Sequence, residues 1–255
     1  MSKWVVRGLR TGIKTTRYPR RIEEAAGVSP GLPCLTGEVG RESPASSFSL
    51  CPTGALRYEN GRPALDYRHC IHCFRCVRGP DPAVDWDNTY EWGAVLKNDG
   101  VQAGMEKPFS RSLHIRFVDG GACGACMSEI EQINKPYYNM HRLGFFVTPT
   151  PRDADVLMVA GPVTDHLRLA IRKTYEAMPT PKRVLAVGAC ALSGGIFSPG
   201  FACSSGLSEL VPVDIGVPGC PPPPLAIIHA LLVAVSRRPS ASLACPDGSD
   251  GRETP

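Results

Sequence analysis

The chain has 255 residues, room for one large or two modest domains, and 43% of them are hydrophobic, enough for a buried core and too few for a membrane bundle. Its formal net charge of +4 is a mild bias that gives no argument for a nucleic-acid partner. The longest apolar stretch, Leu225–Val235, is interrupted by His229 and is far shorter than the ~20 residues that span a bilayer, so a soluble or peripheral protein with no transmembrane segment of its own is expected.

Positive charge gathers at the front of the chain. Lys3, Arg7, Arg10, Lys14, Arg17, Arg20 and Arg21 all precede the first acid, Glu23. An acid-free start containing Arg and Thr has the composition of a transit peptide, whereas no apolar run follows Arg20-Arg21, which argues against an export signal. Eleven cysteines, an odd number with several in tight CxxC groupings, point to metal ligation in a reducing compartment, the cytoplasm, over disulfides.

Residues 1–97 are rich in Pro, Gly and Arg and lack long periodic helices, the pattern of a small fold organised by a metal cluster. Leu56-Arg57-Tyr58 and Pro63-Ala64-Leu65-Asp66 flank the turn Glu59-Asn60-Gly61-Arg62 and predict a short hairpin. This region holds a first set of four thiols, Cys51, followed directly by Pro52, and the triplet Cys70, Cys73 and Cys76. A CxxCxxC run whose cluster takes its fourth thiolate from a distant Cys-Pro step is the ligand pattern of bacterial two-cluster ferredoxins. Only one of the two crossed sets survives here, since Arg41, Pro44, Ser47 and Pro80 stand where the other set's ligands belong. A structural zinc bound to the same four thiolates is the competing reading, disfavoured by the third cysteine of the triplet and by the Cys-Pro-Thr-Gly step. With four thiolates available, His72 is read as a neighbour of the site and not as a ligand.

Residues 98–112, with Asn98-Asp99-Gly100 and Lys107-Pro108, read as a linker. From Leu113 short strands alternate with helices. Leu113–Val118, Phe145–Val147, Val156–Val159, Val184–Val187 and Val211–Ile215 have strand character, Asp165–Met178 reads as a helix capped by Thr164 or Asp165, and a second helix starts among the prolines after Cys220. The alternation implies a parallel sheet covered on both faces over residues 113–237, followed by a polar, disordered tail at 238–255. A second set of thiols, Cys123, Cys126, Cys190 and Cys220, falls just past the carboxyl ends of the expected strands, the edge at which open parallel sheets bind ligands. Gly120, Gly121, Gly124, Gly188, Gly194, Gly195 and Gly219 let the backbone crowd a bulky cluster there. Cys34, Cys203 and Cys245 are left unassigned. There is no Walker loop and no GxGxxG, and the chain is not expected to activate hydrogen or reduce quinone by itself.

Two resemblances follow from these motifs. Arg7-Gly-Leu-Arg-Thr-Gly-Ile-Lys-Thr-Thr-Arg-Tyr-Pro19, together with the first thiol set, resembles the ferredoxin-like subunit of complex I and of membrane-bound hydrogenases. That implies a retained basic segment lying against a membrane-facing partner, not a transit peptide. Gly-Ala-Cys-Gly-Ala-Cys-Met-Ser-Glu129, Asp153–Thr164, Cys190-Ala-Leu-Ser-Gly-Gly-Ile-Phe197 and Pro218-Gly-Cys-Pro-Pro resemble the small electron-transfer subunit shared by complex I (its 20 kDa, B-type subunit) and the energy-converting nickel–iron hydrogenases, over about residues 112–237. The CxxC spacing of Cys123 and Cys126 is similar to the hydrogenase branch, since the complex I members have two adjacent cysteines there.

The resemblances imply a flavodoxin-like α/β domain preceded by a small, irregular ferredoxin-like module, two 4Fe–4S clusters held by the two thiol sets, and Glu129 as a proton relay facing a catalytic large subunit. A solvated helix-start glutamate favoured by the dipole is the alternative for that residue. The partners implied are that large subunit, nickel–iron hydrogenase-like or similar to the complex I 49 kDa subunit, and membrane-arm subunits. Location is then peripheral, on the inner face of the cell membrane. The expected function is electron transfer in an energy-converting hydrogenase-like complex, with a quinone-reducing complex I-like assembly as the alternative and a zinc-bound scaffold as the third reading.

Overall fold

In the computed structural model, residues 2–24, 27–35, 50–59, 62–78, 84–96, 109, 112–198 and 200–243 are described below. Of the described residues up to 96, few lie in regular elements. A nine-residue helix, α1 (Lys3–Thr11), buries none of its residues and leaves Trp4 and Leu9 exposed. Strand β1 (Leu32–Leu35) pairs antiparallel with β4 (Val84–Asp87), and β2 (Leu56–Glu59) with β3 (Arg62–Leu65), the expected hairpin. The tip of its turn, Asn60-Gly61, lies outside the described residues.

The central sheet has six strands. Five follow residue 112: β6 (Leu113–Asp119), β7 (Phe145–Val147), β8 (Val156–Ala160), β9 (Arg183–Val187) and β10 (Ile215–Val217). They are mutually parallel in the order β7-β6-β8-β9-β10. Renumbered from β6, that order is 2-1-3-4-5, the doubly wound arrangement of flavodoxin, whose ligand crevice opens at the carboxyl ends where the order reverses beside the first strand. The helices are α2 (Ala125–Gln132), α3 (Asp165–Ala177), α4 (Ala189–Ser193) and α5 (Pro224–Ala234). In α3, Ile171 is fully buried and Leu167 and Tyr175 pack beside it on one face of the sheet, as the periodicity requires. Every residue of α5 is buried, which explains its uniformly apolar sequence.

The last strand begins later than its apolar run suggests, at Ile215 instead of Val211. Pro212 has no N–H to give to a ladder. The Asp214 carboxylate takes the Val184 amide at 2.7 Å, so a side chain fills the position that a strand carbonyl would occupy. Val211 and Val213 still bury their side chains against the outer face.

The sixth strand, β5 (Ala94–Val95), comes from the first region and joins the sheet antiparallel to β10. One buried cluster runs from Tyr18, Leu32, Leu56 and Leu65 through Ile115 and Met158 to Ile228 and Leu232. Among the described residues the two regions therefore share a core. Most of the expected linker, residues 97–108 and 110–111, lies outside the described residues, as do Arg41, Pro44, Ser47, Pro80 and Cys245. Residues 238–243, expected to open the polar tail, are tied down. The Ala241 amide donates to Gly93 O, Val95 N to Ser240 Oγ, and Tyr67 N to Leu243 O. Residues 244–255 lie outside the described part.

Candidate metal centres

The triplet loop between Cys70 and Cys76 takes left-handed backbone at two non-glycine residues, His72 (φ 51°) and Phe74 (φ 58°). Left-handed residues of this kind turn the chain sharply, and the His72 amide is directed at the Cys70 sulfur. Cys51, Cys70, Cys73 and Cys76 line one cavity together with Thr53, Ile71, Phe74 and Trp86. Thr53 Oγ1 donates to His69 O at 2.6 Å and so fastens the Cys51-Pro52 loop to the residue before Cys70. Burial pushes the Cys70 thiol up to about 12, the His72 amide opposes it, and the thiols of Cys76, Cys51 and Cys73 add to it. Cys76 is raised as well, by burial and by Cys73.

Asp66 anchors the turn leading into this loop. Burial alone would raise its carboxyl, but hydrogen bonds from His69 and Arg68 outweigh that and hold it well below the usual carboxylate range. The contacts are Arg68 N at 3.0 Å, Arg68 Nη2 at 2.7 Å and His69 Nδ1 at 3.1 Å. His72, read from sequence as a neighbour, is buried with its ring set edge-on to Trp86 and Trp92, and neither ring nitrogen has a hydrogen-bond partner among the described residues.

The second set gathers at the carboxyl edge of the sheet. Cys123 follows β6 through Gly120-Gly121 and is exposed, and Cys126 is buried in the first turn of α2. Cys190 lies in α4 directly after β9, and Cys220 lies just past β10. The Asp119 carboxylate accepts the amides of Gly121 and Ala122 and fixes the turn before Cys123. Burial pushes Cys126 up to about 12, and Cys220, Cys190, Cys123 and Glu129 add to it, so the four thiols and the carboxyl feel one another. Burial also pushes Cys190 up to about 11, and Cys220, Cys123 and the unassigned Cys203 contribute. Glu129 is half-buried, and burial raises its carboxyl.

Two glycines leave room for these sulfurs. A Cβ on Gly188 (φ 89°) would stand 2.7 Å from Cys126 Sγ, and one on Gly195 (φ 56°) would stand 3.0 Å from Cys190 Sγ. The eight thiols are outside disulfides. Thiols raised this far stay protonated at neutral pH on their own, and coordination to a cationic centre removes the proton. An all-sulfur donor set, a cavity walled by four of the thiols, and bare glycine backbone behind two of the others fit an iron–sulfur guest at each site. Among the described residues, no three His, Cys, Asp or Glu side chains are arranged to hold a single metal ion.

The profile of the family described as "NADH ubiquinone oxidoreductase, 20 Kd subunit" matches residues 123–234, a span that contains all four thiols of the second set and none of the first. An uncharacterized protein of Methanocaldococcus jannaschii is 46% identical over 122 residues, 48% of this chain and 82% of that protein. The chain belongs to this 20 kDa subunit family. A probable membrane-bound hydrogenase subunit of Pyrococcus furiosus is 38% identical over 131 residues, covering 51% of this chain and 78% of the relative. Formate hydrogenlyase subunit 7 of Escherichia coli is 36% identical over 135 residues, 53% of each. The 20 kDa family likeness thus accounts for the α/β region, an oxidoreductase scaffold. Among the described residues no helix is long and apolar enough to cross a membrane.

Several residues of the site carry no signal in the sequence. Asp66, the left-handed His72 and Phe74, and Ser193 matter through contacts that only the fold creates. Ser193 stands inside a motif quoted for its cysteine and glycines, and its hydroxyl role is invisible there.

Proposed function

We propose that the chain is an electron-transfer subunit holding two 4Fe–4S clusters within a membrane-associated, energy-converting hydrogenase-like complex. The observation that carries this is the gathering of Cys123, Cys126, Cys190 and Cys220 at the carboxyl edge of a doubly wound sheet, with glycine cut away behind two of the sulfurs. Cys51, Cys70, Cys73 and Cys76 would hold the first cluster and the sheet-edge set the second. When bound, such clusters supply one-electron storage at potentials tuned by hydrogen bonds and burial. The chain's own part is to fix the sulfurs, aim amides at them, as the His72 N–H is aimed at Cys70, and exclude water with Trp86, Phe74 and α5.

Residues 1–97 form a ferredoxin-like module in this reading and residues 113–237 the hydrogenase small-subunit-like domain. Exposed Cys123 marks the face turned to a catalytic large subunit, where Glu129, its carboxyl raised by burial, would take up or give a proton. The amphipathic α1, with Lys3, Arg7 and Arg10 on one side, is suited to the membrane-arm subunits or lipid at the inner face of the cell membrane.

A quinone-reducing assembly is the second reading, supported by the complex I name of the matching family. Elemental analysis of the native complex, purified anaerobically through a tag on this chain, separates the possibilities. Nickel together with iron is expected; iron without nickel moves the chain to the quinone-linked reading, and zinc in place of iron overturns electron transfer.

A further inference from the structure

The two thiol sites meet at one hydroxyl. Ser193 closes α4, the short helix that begins at Ala189 and carries Cys190. It is buried, and its Oγ lies 2.9 Å from Arg68 O and 3.1 Å from Ala189 O, so one hydroxyl proton is shared between two carbonyls 121 residues apart in the chain. Ala189 O belongs to the peptide whose nitrogen is that of Cys190. Arg68 O belongs to the peptide that enters His69, the residue before Cys70.

A serine near the end of a helix commonly turns its hydroxyl back to the carbonyl four residues earlier, and that local bond alone would satisfy it. Here the nearer acceptor is the foreign one. The Arg68 carbonyl is also held in place: its own amide donates to Asp66 Oδ1 at 3.0 Å, and the guanidinium grips the same carboxylate. His69 O in turn accepts Thr53 Oγ1, which leads to the Cys51 loop. From the Cys190 peptide to the residue beside Cys70 there are thus two hydrogen bonds and no gap.

We propose that Ser193 is the positioning residue that joins the two sites electronically, by locking the Arg68–Cys70 peptides against the α4 backbone and closing a bonded route from Cys190 to Cys70. The inference rests on the two-cluster reading above. The step it serves is the passage of one electron: the donor site is oxidised by one electron, the acceptor site is reduced by one, no bond is made or broken and no proton moves. Coupling through bonds and hydrogen bonds falls off less steeply than coupling through space, so removing the hydroxyl should slow the passage without altering either end.

The test uses the native complex under anaerobic conditions, with photoreduced deazaflavin as the one-electron donor in substoichiometric amount. Freeze-quench EPR then follows how the electron redistributes between the two signals. In Ser193→Ala, iron content, both signals and both midpoint potentials are expected at wild-type values, with redistribution several-fold slower. Ser193→Thr, which keeps the hydroxyl, is expected to restore the rate. Amide exchange over residues 66–72 should rise in the alanine variant and return in the threonine variant, whatever the metal content. Redistribution in Ser193→Ala at the wild-type rate, or unchanged exchange, overturns the proposal. Should the alanine variant fail to load, Ser193→Thr decides: a wild-type rate supports the joint and a slow one overturns it. A wild-type complex lacking two iron signals instead overturns the two-cluster reading beneath it.

Discussion

The two thiol sites rest on opposite kinds of scaffold. At the first, the backbone bends left-handed at His72 and Phe74, side-chain-bearing residues for which such conformations cost of order 1–3 kcal/mol each. At the second, the corresponding bends fall on Gly124, Gly188 and Gly194, where they cost little. The first loop is fastened by side-chain bonds from Thr53 and Asp66, whereas the second set hangs from the ends of strands buried in the sheet. In the two-cluster reading proposed above, a loop holding strained bends with few ladder bonds would lean on its guest to persist, and a sheet edge would not.

The largest effect that would break this contrast is stripping both sites with a chelator under oxidising conditions. Protease cleavage is expected to open residues 50–78 while the sheet of residues 113–217 stays intact; equal resistance in both regions would dissolve the distinction. Cys220→Ala sharpens it from the other side. One EPR signal and about half of the iron should disappear, and the first-set signal should stay at full intensity. Loss of both signals would contradict independent scaffolds.

Gly188→Ala comes next. Its new Cβ would press on Cys126 Sγ at 2.7 Å from a backbone at φ 89°, so about 3 kcal/mol of strain must be relieved by moving the sulfur or the loop. Iron should be lost at the second site alone. The same change at Gly8 of α1, where a Cβ meets nothing, should be silent in both signals.

Legibility in the sequence followed the same divide. The parallel strands, α3 and α5 announced themselves because burial on both faces demands continuous apolar runs and a 3.6-residue repeat. Strand β10 was displaced because Pro212 and the Asp214 carboxylate break a ladder that the valines alone would continue. The edge strand Ala94–Val95 is two residues long, too short for any period to show, yet it stitches the first region onto the sheet. The eight cysteines stood out by spacing. What aims them did not: the bends at His72 and Phe74, the Asp66 knot and the Ser193 hydroxyl depend on partners up to 125 residues away.

A smaller effect tests the shared core between the regions. His229, fully buried in α5, accepts the Gly93 amide on Nδ1 at 3.0 Å, and burial lowers it to about 4. Its folded value lies below the unfolded 6.5, so the unfolded chain binds the proton first. Stability is then complete above about pH 6.5 and falls as pH drops toward 4, by about 3 kcal/mol. His229→Asn keeps an acceptor for Gly93 and should flatten that part of a urea-midpoint profile; an unchanged slope would place the sensitivity elsewhere.

The smallest expected effect is Asp66→Asn, which removes the charge holding Arg68 and His69. Arg68 is half exposed, so solvent screens the pair and the loss should be near 1 kcal/mol. It should appear as faster iron release from the first site, with the second unaffected. The folded carboxyl lies below its ordinary value, so its contribution is complete above about pH 4 and vanishes as pH falls further, through the folded value. The gap between wild type and Asp66→Asn should therefore hold steady from pH 7 to 5 and begin to close below about 4. A gap that stays constant into acid would show that the loss does not come from the carboxylate's charge. The knot would then matter as a spacer for the Cys70 loop, its charge contributing nothing.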